Sequence, residues 1–465
     1  MNRKPTVNNN DARLVDRKPA AGELEPVAGN GLLDRRLLLK YGLGFGATGA
    51  LATLLPNALA ADNTSTDYPP ARYPWMNRPG ETFSNYGRPS DFEKDVIRWI
   101  TNNTDVEGNG VSWTPLHLLE GTLVPNGLHF ERHHNGVPVI DPAEHRLLIH
   151  GLVDRELVFD VNDLLRYPMH SRICFLECGG NSNAAWNKTP AQAAVGYFNG
   201  LVSNSEWTGI PLRVLFEEAG IQDNAAWLIA EGADAFAMQN SIPLKPALDE
   251  GLLALYQNGE RLRPENGYPM RIVIPGMEGV RNVKWVRRLM LAEHPVMARN
   301  ETARYTDLLP DGRARQFAFV NNARALLTFP AAGHKLSGPG YYQIKGLAWS
   351  GRGKISKVEV SADGGKTWAE AALDEPVLPK AFTRFRLPWQ WEGQTVRLQA
   401  RATDETGYVQ PERAELIAER GHHAFYHFNG ILTFEVAADG TISHVYETED
   451  AAGTDDAGGI DAGWF

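Results

Sequence analysis

Residues 172–181 read RICFLECGGN and hold both cysteines of the 465-residue chain. An apolar run containing Ile173 and Phe175 ends on Cys178 and is closed by Gly179 and Gly180, the pattern of a strand stopping in a turn. In an extended strand Cys174 and Cys178 stand about 13 Å apart, at about 3.3 Å per residue. A disulfide tolerates no more than roughly 7 Å between its Cα atoms, so a bridge is the least favoured reading. Cys174, inside the apolar run, reads as a small core residue. Cys178 lies where glycines let backbone N–H groups approach a ligand, and reads either as core or as one thiolate for a soft metal.

Length and composition set the frame around this segment. A chain of 465 residues exceeds one core and predicts two or three domains. With 43% hydrophobic and 22% charged residues the composition is that of a soluble globular protein. The net charge of −10 argues against a nucleic-acid or anionic-membrane partner. Two cysteines cannot build a disulfide framework or a four-thiolate zinc site, and no C-x-x-C-H motif occurs, so no haem is expected on this chain. Near the N-terminus, DRRLLLKYG (34–42) precedes an uncharged run from Tyr41 to Leu55 and the small-residue end Ala58-Leu59-Ala60. These are the parts of a signal peptide over residues 1–60. Arg35–Arg36 resembles a twin-arginine signal, which would export the folded protein to the periplasm. The apolar run is about 15 residues, short of the roughly 20 that span a bilayer, so no membrane anchor is expected.

Downstream, SDFEKDVIRWI (90–100) predicts a helix capped by Ser90, with Phe92, Val96, Ile97 and Ile100 on one face. Short apolar strands are predicted at 137–140, 145–151 and 173–178, and helices at 161–167 and 211–220. Mixed short elements through residue 300 predict an α+β domain. The Pro/Gly-rich stretch TFPAAGHKLSGPG (328–340) reads as a boundary, after which the pattern is all-β. KVEVSADGGKTW carries a hairpin signal at Asp363-Gly364-Gly365, and Val396, Leu398, Ala400 and Ala402 alternate on one face. An immunoglobulin-like β-sandwich is expected over 326–447, with a flexible tail at 448–465.

Four segments carry a resemblance to the sulfite oxidase family of molybdenum enzymes. CGGN (178–181) resembles the family's C-[AG]-G-N. HFERHHNGVPVI (129–140) resembles its F-x-R-N-H-x-x-P-x-P segment, and IPGMEGVRNVKWV (274–286) its V-P-G-x-x-G-A-R-H-V-K-W-L. GLAWSGRGKISKVEVSADGGKTW (346–368) resembles its dimerisation domain. The resemblance is collinear from about residue 115 to 445. It implies a molybdopterin-binding catalytic domain at 61–325, an immunoglobulin-like dimerisation domain and a homodimer built through that domain. The cofactor implied is molybdenum on a pterin, with Cys178 as the protein thiolate. On this resemblance Phe130, Glu131, Arg132, His133 and His134 match the first pterin-contacting stretch. Asp234, Asn266, Arg271, Arg281, Asn282, Val283 and Lys284 match later cofactor positions. Asn266 and Asn282 stand where the family has His, and His133 where it has Asn. Arg132 and Tyr305 fall on the substrate-facing arginine and the active-site tyrosine.

The substrate side departs from the family. Ser182 and Asn183 replace two arginines after CGGN, Tyr197 takes the place of the pocket tryptophan, and Asn429 that of a C-terminal arginine. A small dianion needs charge-assisted bonds worth about 1.5–3 kcal/mol each. The pattern is therefore closer to the sulfane dehydrogenase branch of the family, whose molybdenum subunit oxidises a sulfane sulfur on a carrier protein. Electrons would then pass to a c-type cytochrome subunit, with Arg132 orienting the sulfur oxyanion and Tyr305 donating a hydrogen bond near the metal. The rival expectations are a dehydrogenase for free sulfite and a non-catalytic subunit that keeps the fold.

Overall fold

The computed structural model describes residues 26–34, 73–77, 79, 82–302, 304–316 and 319–446. The expected leader, apart from residues 26–34, and the expected tail lie outside the described residues.

The first domain is built on two five-stranded sheets. In one, the strands run in the order Gln239–Pro243, Trp227–Gly232, Val286–Ala292, Leu147–Gly151 and Leu157–Phe159, and only the pairing of Val286–Ala292 with Leu147–Gly151 is parallel. In the other, Glu260–Arg261, Leu252–Gln257, Val202–Pro211 and His170–Glu177 run antiparallel, and Arg271–Val273 pairs with Leu252–Gln257. A three-stranded sheet of Trp99–Asn102, Gly110–Trp113 and Glu131–His133 lies before them in sequence. The helix Leu212–Ala219 buries Leu212, Leu215, Phe216 and Ala219 and stops at Gly220, whose φ of 76° suits a residue without Cβ. The expected strand at 173–178 is part of the longer strand His170–Glu177, and Cys174 is fully buried in it.

The second domain is a sandwich of two antiparallel sheets. One holds Arg324–Phe329, Gly340–Trp349 and Thr383–Trp391, and the other Ile355–Ser361, Val396–Asp404, Thr433–Val436 and Ile442–Val445. Val396, Leu398, Ala400 and Ala402 all face the common core, as their alternation predicts. A helix at Arg413–Arg420 interrupts the all-β pattern.

Four local expectations give way. Residues 90–100 hold one 3₁₀ turn, Asp91–Glu93, capped by Ser90, and then an extended strand from Trp99. The apolar face drawn there has nothing to bury it: Phe92, Ile97 and Ile100 are exposed. The expected strand at 137–140 is irregular, with Val139 fully exposed. The helix expected over 161–167 is one turn, Val161–Leu164, opened by a capping box of Asp160 and Asp163. The Pro/Gly stretch 328–340 connects the first two strands of the sandwich, which begins at Arg324. Residues 26–33, inside the expected leader, fold onto the sandwich. Leu32 and Leu33 are buried, Leu32 pairs with Trp389, and Trp389 Nε1 donates to Asn30 O at 2.8 Å.

Candidate active site

Cys178 follows the strand His170–Glu177, and the turn that carries it is held from several sides. Glu177, the preceding residue, is buried. Its carboxylate accepts from Asn181 Nδ2 at 2.9 Å, Trp349 Nε1 at 2.8 Å and Arg324 Nη1 at 3.3 Å. The Cys178 N–H donates to Leu201 O at 2.9 Å, and the His427 N–H donates to Gly179 O at 2.6 Å. Arg324, Trp349 and His427 belong to the sandwich, so the second domain fixes the thiol of the first. Gly179 lets the Glu278 carboxylate approach closely: a Cβ there would lie 2.1 Å from Glu278 Oε1.

Two clefts meet at this thiol, sharing Arg132, His134, Cys178 and Tyr305. The inner cleft is also lined by Phe130, His133, Asp234, Asn266, Arg271, Asn282, Val283 and Lys284. The three segments containing 129–134, 178 and 266–284 thus converge, although they are far apart in sequence. The outer cleft, of about 460 Å³, is lined by Asn109, Phe236, Arg299, Arg304, Phe425 and Tyr426 among others.

Two expected site residues do not face the clefts. Glu131 pairs with Arg98 and with His133 Nε2, the latter at 2.7 Å, and so orients His133 from behind. Arg281 is fully buried on the far side, paired with Glu301 at 2.7 Å and bonded to Asn240. Ser182 is also turned away from both clefts. Its hydroxyl donates to Asn199 Oδ1 at 2.6 Å and accepts from Arg324 at 2.7 Å. Tyr197 packs against Trp99 and His117, and Asn429 bonds Ala323 O and Tyr408 inside the sandwich.

The inner cleft gathers Arg132, Arg271 and Lys284, with Asp234 and Glu265 also in its lining. The Arg271 guanidinium is buried and donates to two carbonyls, Asn266 O at 2.9 Å and Asn282 O at 3.0 Å, while stacking 4.9 Å from the centre of the Trp207 ring. Its Nε has no partner, and burial pulls its pKa down to about 9. Lys284 donates to Arg132 O at 3.3 Å and Glu265 O at 3.0 Å and lies 2.9 Å from His133 Nδ1. Burial, helped by Arg271, holds its ammonium well below the ordinary lysine range. Burial also keeps His133 and His134 neutral, at about 2 and about 3, with Lys284 and Arg132 contributing. Buried basic side chains that bond carbonyls and a neutral imidazole, with no carboxylate in contact, match a ligand bringing its own negative charge. His134 Nε2 is a further buried polar atom without a partner. A pterin with a terminal phosphate would fit this set, with Arg271, Lys284 and His134 among the residues that would hold it, whereas the Asn282 amide is engaged in its own turn, accepting from Ile274 N–H at 2.7 Å and donating to Met277 O and Glu278 O.

Toward the outer cleft, Tyr305 stands in the left-handed region at φ 54° and stacks on Tyr426, ring centroids 4.7 Å apart. Burial, then Cys178, raises its pKa well above 10, so it remains a proton-bearing hydrogen-bond donor. His134 stacks on Phe236 at 4.4 Å, and Arg299 lies 5.6 Å over the same ring. Burial likewise raises the Cys178 thiol, so metal binding there would release its proton. The three histidines of HFERHH do not gather into a metal site: His129 meets Gln257 at 3.1 Å, His133 faces Glu131 and Lys284, and His134 stacks. Sequence reading missed Arg299, Arg304, Phe236 and Tyr426 as cleft residues. Only Arg304 had a signal, its place beside Tyr305.

This fold and site define a molybdopterin-binding oxidoreductase that carries its own dimerisation module. Residues 134–299 match the model of the oxidoreductase molybdopterin binding domain, and residues 317–431 that of the Mo-co oxidoreductase dimerisation domain. Among solved structures the chain is similar to the sulfane dehydrogenase SoxCD from Paracoccus pantotrophus. The likeness has a TM-score of 0.79 and 44% identity, over 81% of this chain and 98% of that one. Among curated proteins it is 32% identical to mitochondrial sulfite oxidase of Mus musculus over 64% of this chain. It is 28% identical to nitrate reductase [NADH] of Solanum lycopersicum over 63%. The chain spans 59% of the mouse enzyme's length and 36% of the tomato enzyme's. The chain belongs to the sulfite oxidase family of molybdenum enzymes.

Proposed function

We propose that this chain is the molybdenum subunit of a sulfane dehydrogenase, oxidising sulfane sulfur on a carrier protein to the sulfonate level. A c-type cytochrome subunit takes the electrons, and export through the twin-arginine-type leader places the reaction in the periplasm. The observation that carries the substrate reading is the outer cleft. It is lined by Phe236, Phe425 and Tyr426 and leads to Cys178, a partly aromatic approach that suits a sulfur delivered on a peptide arm better than a free small anion. The 44% identity to a protein named as a sulfane dehydrogenase supports the same choice.

When bound, the molybdenum cofactor supplies two-electron oxidation with oxygen taken from water. The chain's own residues do the rest. Cys178 holds the metal where the clefts meet. Arg132, on the strand Glu131–His133 and tied to Asn109 Oδ1 at 2.7 Å, presents a fixed cation to the oxyanion that develops on sulfur. Tyr305 keeps its proton and donates a hydrogen bond to the same centre. Phe236, Tyr426 and Phe425 form apolar walls that exclude water from the arm.

A second reading, a dehydrogenase for free sulfite, is favoured by one observation: Arg299 and Arg304 line the outer cleft with Arg132. Assaying one preparation with a small dye as electron acceptor separates the two. We expect turnover of a persulfide-loaded thiol protein and poor turnover of sulfite. Fast oxidation of free sulfite, with none of the persulfide protein, would contradict the proposed substrate.

A further inference from the structure

Residues 26–33 fall inside the expected leader, yet they bind the sandwich as a strand-forming element. Pro26–Ala28 and Leu32–Leu33 make an antiparallel hairpin around the turn Gly29–Gly31. Leu32 pairs with Trp389, so the hairpin extends the sheet beyond the strand Thr383–Trp391. Strand addition of this kind gains affinity from main-chain bonds and selectivity from the side chains that enter the core. Here Leu32 and Leu33 are both buried, and Leu32 joins the core of the sandwich.

The turn is fitted to its place by side chains from both sheets. Trp389 Nε1 donates to Asn30 O at 2.8 Å, Asn30 Nδ2 donates to Ala362 O at 2.7 Å, and the Gly29 N–H donates to Thr367 Oγ1 at 2.8 Å. Gly31 stands at φ 87°, and a Cβ there would lie 1.9 Å from Gln390 O. Ala362 and Thr367 follow the strand Ile355–Ser361 of one sheet, and Trp389 belongs to the other. These partners stand together only once the sandwich has folded, so the hairpin binds the folded domain and not the unfolded chain. Arg35 lies two residues beyond Leu33, no more than about 7 Å of extended chain. A receptor groove that grips Arg35–Arg36 over several residues on each side overlaps the docked segment. Docking and recognition of the arginine pair therefore exclude one another, and docking lowers the receptor's apparent affinity.

We propose that residues 26–33 are a fold-dependent tether of the leader. In the precursor they occupy a strand-accepting slot on the sandwich and hold Arg35–Arg36 from the export receptor until the receptor displaces them. The ligand of this slot is an apolar extended segment of the same chain, entered through a Gly-Asn-Gly turn. This rests on the leader reading within the proposed function. Removal of the leader after Ala60 then opens the slot beside Trp389 and Gln390 in the exported protein.

The test uses the full-length precursor and its variant L32D/L33D, whose changes lie outside both clefts. Amide hydrogen exchange over residues 26–33 should be slow in the parent and about tenfold faster or more in the variant. The strands Ile355–Ser361 and Val396–Asp404 should keep parental protection, which shows that the variant is folded. In pulse-chase labelling of cells, the variant should lose its leader about threefold faster than the parent. Gly31→Val, whose side chain would strike Gln390 O, is a second variant and should give the same two changes. Residues 26–33 exchanging freely in the parent would overturn the docking. Equal processing of parent and variants, with the exchange difference present, would overturn the sequestering role. An exported protein that still begins before residue 26 makes the hairpin a permanent strand and sinks the tether. Processing at the parental rate in R35K/R36K counts against the leader reading, while the exchange comparison still decides the docking.

Discussion

Arg324 of the sandwich lies 3.3 Å from Glu177, the residue immediately before Cys178, and both side chains are buried. The same guanidinium donates to Asn199 Oδ1 at 2.6 Å and to Ser182 at 2.7 Å, on the far side of the CGGN turn. The two domains are thus coupled at the thiolate through one cation. Removing one partner of such a pair leaves an uncompensated buried charge, at a cost of about 3–5 kcal/mol. Arg324→Ala should lower stability by that order, whereas Arg324→Lys, which keeps the charge, should lose less. Chemical unfolding checks this, and a loss under about 1 kcal/mol for Arg324→Ala would show that the pair does not anchor the turn.

Arg271 should respond in the opposite way. In the cofactor-free chain it is a buried cation bonded only to carbonyls. Arg271→Met removes an uncompensated charge and should leave the apo protein at least as stable as the parent. The same change should weaken pterin retention by about 2–5 kcal/mol if Arg271 faces the phosphate. Fluorescence of the released pterin after gel filtration measures retention, and parental pterin content in the variant would place the anion elsewhere.

Acid should destabilise the fold through buried neutral histidines. His117 and His444 are lowered to about 4 and His427 to about 3, each chiefly by burial. Below the ordinary value of 6.5 the unfolded chain binds protons that the folded chain refuses, so stability rises with pH from about 4 to 6.5 and then levels. The urea midpoint should therefore fall between pH 7 and pH 5. His444→Gln should fall less over the same interval, and an equal fall in both would remove His444 from this account.

Much of this was legible because the informative patterns are local. The apolar run into Gly179–Gly180 fixed the strand and turn at Cys178, and the period-2 alternation from Val396 fixed a sandwich strand. Phe92, Val96, Ile97 and Ile100 have helical spacing, yet no surface receives them, and periodicity cannot reveal the absence of a partner. Arg281 lies in a family motif, but its direction is set by Glu301, twenty positions on. The Ser182 position looked like a lost anion contact, and the structure turns it toward Arg324, 142 residues away. Arg299 belongs to no motif and Arg304 only neighbours Tyr305, so the cationic character of the outer cleft emerged from the fold.

The central claim is that Cys178 ligates molybdenum where the two clefts meet. X-ray absorption at the molybdenum edge, with metal and pterin counted per chain, tests it most directly in the parent and in Cys178→Ser. The account predicts that the variant keeps pterin, loses one sulfur neighbour of the metal and loses sulfur oxidation. An unchanged sulfur count around the metal, with unchanged activity, would contradict it.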